Sequence, residues 1–389
     1  MSVQARPVVR PPSRPDREGQ TDGSTPLSIF PVPAPSSCAV LRPWVLYPSW
    51  AACLVVLAAW LAAPRAVTAL QYTPLALSVV LFGLPHGALD HLVPSRLRRQ
   101  APTPRRVLPL IGGYLGLVAA YLLLWFVAPV VALTAFLVIA LLHWGQGDCF
   151  VLLAFLRRPP PRTMAGMALL WLVRGALPIA FSALMHPAAF TAAARGISRT
   201  WGSYAAWTIT PAFQAGGLAV FAALVLGYVV LAVGARRHAP AYLFWTDLGE
   251  TALLFVFFWV VPPLVAVGVY FCLWHSTRHI ARLVLCREAN LGLIERRRVP
   301  YCLRGVARDA VPMTLGAIAI FFVFAVPRSG SLNGLDGLIW LYLALVAALT
   351  LPHVILVLWM DYTQKLWPAR RGVFAPIVAP LPTGATTGR

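Results

Sequence analysis

Four short histidine-containing motifs lie inside long apolar stretches of this chain. They are PHGALDH at 85–91, HWGQGD at 143–148, HSTRH at 275–279 and LPH at 351–353. Ionisable and ligating side chains are costly inside a bilayer, so where they occur they mark functional positions. Imidazole is also the most common protein ligand for iron, zinc and copper. The four motifs together therefore indicate a metal site to which several helices contribute.

Two of these motifs have a spacing or density of polar side chains that favours metal binding. His275 and His279 are four residues apart, so on a helix they project from one face and can chelate one ion. His143 shares its motif with Gln146 and Asp148, an unusual concentration of polar groups in an apolar segment. We favour ligand roles for the three histidines; the alternative is that they are hydrogen-bonded core residues.

The first motif offers both a ligand and a carboxylate to orient one. His86 and Asp90 are four residues apart, and His91 follows directly. A carboxylate beside a ligating imidazole commonly fixes its tautomer, so we expect Asp90 to hold His86 or a ligand on another helix. The alternative is that Asp90 and His91 cap the helix at the membrane interface. His353, which follows Pro352, is a further candidate ligand.

Several other polar residues have simpler explanations. His186 and His238 lie at the ends of apolar segments, and we expect both at the membrane interface rather than at a metal. Arg278 and Arg282 would repel a cation, so we expect them to point towards the membrane surface. Arg174, Asp247 and Glu250 fall inside predicted spans and suggest a charge pair between helices. In the alternative, Glu250 lies beside the metal.

The composition indicates what kind of structural elements position these residues. The 389 residues are 59% hydrophobic and 11% charged, as expected for a multi-pass membrane protein rather than a soluble domain. The six cysteines lack the spacing of a metal ribbon and are expected to be packing residues. Lys365 is the only lysine, so no span contains the lysine that a retinal Schiff base needs. The sequence contains ten apolar segments, which are the predicted membrane spans: 49–64, 73–94, 107–127, 130–156, 164–185, 211–234, 241–260, 262–285, 309–327 and 336–360.

Arginines in the connecting segments predict the orientation of these ten helices. The links after the second, fourth, sixth and eighth segments are rich in arginine, whereas the others hold few. Because positively charged loops stay in the cytoplasm, both termini should be cytoplasmic. This placement explains the net charge of +20 without a nucleic-acid partner. The motif histidines then lie on helices of one direction, at similar depth in the cytoplasmic half.

The predicted fold class is therefore an all-α, polytopic bundle of about ten transmembrane helices. Residues 1–45, rich in proline and arginine, are predicted to be a disordered cytoplasmic leader. Residues 46–362 would form the transmembrane catalytic domain, and 363–389 a flexible cytoplasmic tail. The tight Val261-Pro262-Pro263 link predicts a helical hairpin between the seventh and eighth segments.

With these four motifs in this order, the chain resembles the Brp/Blh family of integral-membrane β-carotene 15,15′-dioxygenases. The similarity covers about residues 73 to 360. The resemblance implies a multi-pass protein of the bacterial cell membrane. Its implied reaction is cleavage of the central double bond of β-carotene, or of a related carotenoid, with O2 to give two retinals. The implied cofactor is Fe(II) bound by histidines. Carried over by motif, the iron ligands would be His86, His143, His275 and His279, with His91 and His353 as nearby candidates. We predict that Asp90, Asp148 and Glu250 are the carboxylates of the catalytic cluster.

Three other functions compete with this one. A lipid desaturase or hydroxylase also uses histidine clusters near the cytoplasmic face, but its motifs typically include adjacent His-His pairs, which this chain lacks. A bis-histidine haem protein would leave the other histidines unexplained. A transporter with an ion path through Arg174, Asp247 and Glu250 would make the histidines incidental.

Overall fold

The computed structural model describes residues 34–158, 161, 163–205, 207–236, 240–327, 334–364 and 366. Throughout these residues the regular structure is helical and contains no strand. Nine of the described helices are long and apolar enough to cross a membrane. The prediction of an all-α, polytopic membrane fold is therefore confirmed.

Within the described part of the chain, eleven helices build the fold, and short helices at Pro64–Ala69 and Glu288–Glu295 join some of them. The eleven are α1 (Pro35–Ala62), α2 (Thr73–Leu97), α3 (Pro104–Val127), α4 (Pro129–Phe155), α5 (Met164–Met185), α6 (Pro187–Thr200), α7 (Pro211–Arg236), α8 (Ala241–Val260), α9 (263–285), α10 (Val299–Ala325) and α11 (Gly334–Thr363).

The eighth predicted span, 262–285, corresponds to α9, which differs in character from the nine apolar helices. It begins with Pro263–Val269, continues through a π-helical turn at Tyr270–His275 and ends with Ser276–Leu285. The last part is polar, because His279, Arg278 and Arg282 lie on it, directly after His275 at the end of the π-helical turn. As predicted, α8 and α9 form a hairpin, since α8 ends at Val260 and α9 begins after Pro262.

The first span begins much earlier than the sequence predicted. Helix α1 starts at Pro35 and contains Pro43 and Pro48, so residues 35–45 are helical rather than part of a leader. Cys38, Leu41 and Val45 are buried in the core. The rest of the predicted leader, 1–33, and nearly all of the predicted tail lie outside the described residues. Helix α6 was not predicted; it packs on α11, where Gly196 lies against the Trp340 ring.

Helix α2 is not a continuous rod, and its breaks lie at the first motif. Regular helix ends at Val80, a short helix covers Gly83–Gly87, and a 3-10 turn at Asp90–Leu92 leads into Val93–Leu97. A Cβ on Gly83 would lie 2.5 Å from the Ser78 carbonyl oxygen and 2.9 Å from the Phe271 ring. Glycine at this position therefore lets the broken helix approach α9 closely.

Two glycines bring α4 and α5 into close contact. A Cβ on Gly145 would overlap the Trp171 carbonyl, and a Cβ on Gly175 would overlap the Leu141 carbonyl. Within lipid, close backbone approach and van der Waals packing drive helix association, because burial of apolar surface gains little there. This contact sets the position of α4, the helix that carries the second motif.

Candidate metal centre

Five histidines from four helices come together inside the bundle. They are His86 of α2, His143 of α4, His275 and His279 of α9, and His353 of α11, and all are at least nine-tenths buried. The His353 ring centroid is 4.9 Å from those of His86, His143 and His279. Other measured centroid distances are 4.9 Å for His143–His275, 5.5 Å for His86–His275, 5.6 Å for His86–His279 and 6.5 Å for His143–His279.

The outer nitrogens of three of these rings are held by polar partners. Nδ1 of His86 lies in hydrogen-bond contact with the Gly83 carbonyl, at the break in α2. Nδ1 of His353 lies 2.8 Å from Oδ2 of Asp90, and Nδ1 of His143 lies 3.4 Å from Oε1 of Gln146. A partner on one nitrogen fixes the ring orientation and leaves the other nitrogen free to bind a metal.

The inner nitrogens of four rings have no hydrogen-bond partner among the described residues. Nε2 of His143, His275, His279 and His353 is buried in each case and makes no hydrogen bond. A buried polar atom without a partner is costly, and four such atoms in one cluster are not expected of a purely structural core. A metal ion bound by these nitrogens would satisfy them together.

The spacing of the rings also fits a shared metal ion. Because an imidazole nitrogen binds a metal such as zinc at about 2.1 Å, rings on one ion have centroids about 4.5–6.5 Å apart. The measured distances of 4.9 to 6.5 Å lie within that range. Neutral nitrogen ligands suit iron, copper, nickel and zinc rather than magnesium or calcium.

A second set of donors overlaps with the first. Ligand atoms of Asp90, His279 and His353 lie within 4.8 Å of one another. Asp90 also accepts a hydrogen bond from the Tyr114 hydroxyl at 3.3 Å, while its Oδ1 has no hydrogen-bond partner among the described residues. Tyr114 was not singled out in the sequence, because a lone tyrosine in an apolar helix gives no signal of such a contact.

Two further histidines of the described residues, His91 and His186, make no ring contact with the cluster. His91 is half-buried, and its Nδ1 lies 2.9 Å from the Ala88 carbonyl oxygen. His186 lies at the junction of α5 and α6, which agrees with the expected position at a segment end. His238 is outside the described residues.

Asp148 and Glu250 belong to a network of ion pairs beside the histidines. Arg174 lies 2.6 Å from Glu250 and 3.3 Å from Asp148, and Arg278 makes pairs of the same two lengths. The indole nitrogen of Trp274 donates to Asp148, and that of Trp50 donates to Glu250. These four charged side chains are essentially inaccessible to solvent, so the network links α4, α5, α8 and α9 within the core.

The structure contains the predicted charge pair between helices, Arg174 with Glu250, and corrects the expected directions of two arginines. Arg278 and Arg282 do point away from the metal candidates, but into buried ion pairs and not towards the membrane surface. Arg282 lies 2.7 Å from Asp361, whose other oxygen accepts a hydrogen bond from Gln146 at 2.6 Å. Asp247 pairs with Arg158 at 3.1 Å instead of with Arg174. Their partners come from distant parts of the chain, which local spacing does not reveal.

An apolar cleft of about 340 Å³ leads to the histidine cluster. Its walls come mainly from α2, α3, α10 and α11, and His86, His143, His275 and His353 lie along it. Tyr114, Trp144 and Phe271 are aromatic side chains that line it. The volume is in the range of pockets that bind small organic molecules.

Comparison with known proteins identifies related sequences. A family model described as β-carotene 15,15′-dioxygenase matches residues 77–361. The chain is 36% identical over 356 residues to a probable β-carotene 15,15′-dioxygenase, Blh, of Halobacterium salinarum, covering 88% of this chain and 99% of that protein. It is 26% identical over 210 residues to a β-carotene 15,15′-dioxygenase of an uncultured marine bacterium, covering 52% of this chain and 66% of that protein. No solved structure matches the chain significantly.

Proposed function

Because the chain belongs to the β-carotene 15,15′-dioxygenase family, we propose that it cleaves the central double bond of β-carotene with O2 at a histidine-held iron ion. The products are two molecules of retinal. The observation that carries this proposal is the cluster of buried, unpartnered Nε2 atoms at the inner end of an apolar cleft. The cluster offers a metal site, and the cleft offers a place for a hydrocarbon beside it.

Five residues are assigned to the iron. They are His86, His143, His275 and His279, the ligands that the motifs imply, and His353, the nearby candidate whose ring centroid is 4.9 Å from those of three of the others. Bound Fe(II) supplies the one-electron chemistry through which O2 can react with an alkene. Imidazole ligands on a buried site favour such a redox metal over magnesium or calcium.

The carboxylates act by positioning the histidines that bind the metal. Asp90 holds Nδ1 of His353 at 2.8 Å, and for that reason we assign it to orienting His353 rather than to the metal. Asp148 and Glu250 act through Arg278, which lies between His275 and His279 on α9. The ion pairs therefore set the rotation of the helix that contributes two ligands.

The overall reaction has only β-carotene and O2 as reactants. Breaking one carbon–carbon double bond and adding one oxygen atom to each carbon consumes β-carotene and O2 only, without a proton or a reductant. The cleft lining fits this requirement, since apolar side chains from α3, α10 and α11 surround the histidines. By excluding water, such a lining protects the reacting atoms from side reactions.

Expression in a host that accumulates β-carotene tests the reaction class. We expect the carotenoid colour to fade and retinal to accumulate when the chain is present in the membrane. His275→Ala, which removes one assigned ligand, should keep the colour at a comparable protein level, whereas His186→Ala should behave as the wild type. Unchanged colour with abundant wild-type protein would contradict the proposal.

A further inference from the structure

We propose that the substrate enters the cleft sideways from the bilayer, through a mouth between α3 and α10. This inference rests on the proposed function, because the occupant is a long apolar polyene of the carotenoid class. It concerns the route to the metal cluster, which the ligand set alone does not define.

The walls of the cleft show where it opens. Helix α11 packs against α3 and against α10, and α10 also packs against the short helix Gly83–Gly87 of α2. The cleft lies between these helices, with Tyr114 and Leu115 of α3 on one side and Met313 and Gly316 of α10 on the other. Helix α11 therefore forms the floor, and α3 and α10 form the two sides.

Two lining residues are also part of the outer surface. Leu115 is 48% exposed, and Gly316 is exposed as well. A Cβ on Gly316 would meet no atom within 4 Å, so the space beside it is open. The cleft is consequently continuous from the histidine cluster to the outside of the bundle at these residues.

The position of this mouth along the helices places it at lipid depth. Leu115 lies at the middle of α3, Pro104–Val127, and Gly316 lies near the middle of α10, Val299–Ala325. Both helices are among those long and apolar enough to span a membrane, and both are largely unburied within the bundle. A mouth at mid-helix faces lipid tails rather than water.

The residues that line the mouth favour an uncharged hydrocarbon as the occupant. Asp90 is the only acidic residue in the described lining of the cleft, and arginine and lysine are absent from that lining. The Asp90 carboxylate is already in hydrogen-bond contact with His353 and Tyr114. A phospholipid headgroup would find no countercharge there, whereas a polyene requires none. A β-carotene molecule dissolved in the bilayer would reach the histidines without crossing an aqueous phase.

Tryptophan substitutions at the mouth test the route in lipid nanodiscs loaded with β-carotene. Gly316→Trp and Leu115→Trp should each lower the rate of retinal formation about tenfold or more, a typical scale for steric exclusion from an apolar pocket. Iron content should stay at the wild-type level, and β-carotene binding by chelator-stripped protein should weaken in parallel. Gly316→Ala, which fits the open space, should retain most of the rate.

The matched control is Gly216→Trp on α7. Gly216 is also an exposed helical glycine whose Cβ would meet no atom within 4 Å, but it lies away from the cleft. The Gly216→Trp variant should form retinal at the wild-type rate. Full activity of Gly316→Trp and Leu115→Trp, or loss of iron from either variant, would overturn the lateral mouth. Absence of retinal from the wild type would instead overturn the proposed function.

Discussion

His353 occupies a central position among the histidines of this protein. Its ring lies 4.9 Å from three other imidazole rings, and its outer nitrogen is held by Asp90. In the sequence it was one of two additional candidates, because LPH is too short a motif to distinguish a ligand from a packing residue. The structure supplies the missing observation, since its buried Nε2 has no hydrogen-bond partner among the described residues.

Replacing His353 should therefore be as damaging as replacing a motif ligand. We expect His353→Ala to lose bound iron and retinal formation to the same extent as His275→Ala, with near-normal protein yield. Iron per chain, measured by metal analysis of the purified protein, reports the loss directly. His186→Ala is the matched control, because His186 is also partly buried but lies outside the cluster. Full iron content in His353→Ala would remove this residue from the ligand set.

Asp90 provides a separate test, because orienting a ligand and capping a helix have different signatures. Asp90→Asn keeps the shape and removes the charge that faces Nδ1 of His353. We expect iron affinity or activity to fall about 10–100-fold, as is typical for the hydrogen-bond partner of a metal ligand. A helix cap would instead cost about 1 kcal/mol of stability and leave iron bound. Chelator titration and thermal unfolding, with Asp336→Asn at the exposed start of α11 as control, separate the two results.

At the scale of elements, α9 combines the ligands with the charges that hold them. His275 and His279 project towards the cluster, while Arg278 and Arg282 project into ion pairs with carboxylates of α4, α8 and α11. The π-helical turn Tyr270–His275 lies directly before this polar part. Such turns are frequent at functional sites, since they change the direction in which the following side chains point.

Removing the Arg278 charge should destabilise the bundle and loosen the ligands of α9. In Arg278→Met, Asp148 and Glu250 would share Arg174 alone, and breaking a buried ion pair typically costs about 3–5 kcal/mol. We expect a large fall in the thermal unfolding temperature together with reduced iron content. Arg308→Met is the control, because that side chain is 73% exposed and surface pairs contribute about 0–1 kcal/mol. Wild-type stability and iron in Arg278→Met would contradict the assigned role.

The elements also show what the sequence could predict. Long apolar runs were sufficient to locate nine of the ten predicted spans among the described helices, because length and composition alone determine which helices can cross a bilayer. The start of α1 was missed, since the proline- and arginine-rich composition of residues 1–45 suggested a disordered leader, yet residues 35–45, with Pro43, lie within the helix. The predicted directions of the Arg278 and Arg282 side chains were wrong, because their partners Glu250 and Asp361 lie on helices that only tertiary packing brings close.

At the scale of the whole molecule, the orientation in the membrane is a prediction of the arginine pattern. Reporter fusions after Arg158 and at Arg297 should indicate the cytoplasm, and a fusion at Ser203 should indicate the opposite side. Arg297 is suitable because it lies between Glu288–Glu295 and α10, outside the spans. An external signal at Arg297 would reverse the scheme and place the metal cluster in the other half of the membrane.

The fold, the cluster and the cleft are mutually consistent. Four helices contribute imidazoles to one cluster, buried ion pairs join three of them (α4, α9 and α11), and an apolar cleft extends from the cluster to the outside of the bundle. An enzyme whose substrate dissolves in lipid needs this combination, since both the metal and the path to it must be away from water.

The central claim is that histidine-bound iron in this chain cleaves β-carotene, and a single assay tests it most directly. Purified protein in lipid nanodiscs is stripped with a chelator, reloaded with Fe(II) or Zn(II), and supplied with β-carotene and O2. We expect two retinals per β-carotene consumed in the iron-loaded wild type, and none in the zinc-loaded wild type or in His275→Ala. Retinal formation by the stripped protein, or by His275→Ala at the wild-type rate, would contradict it.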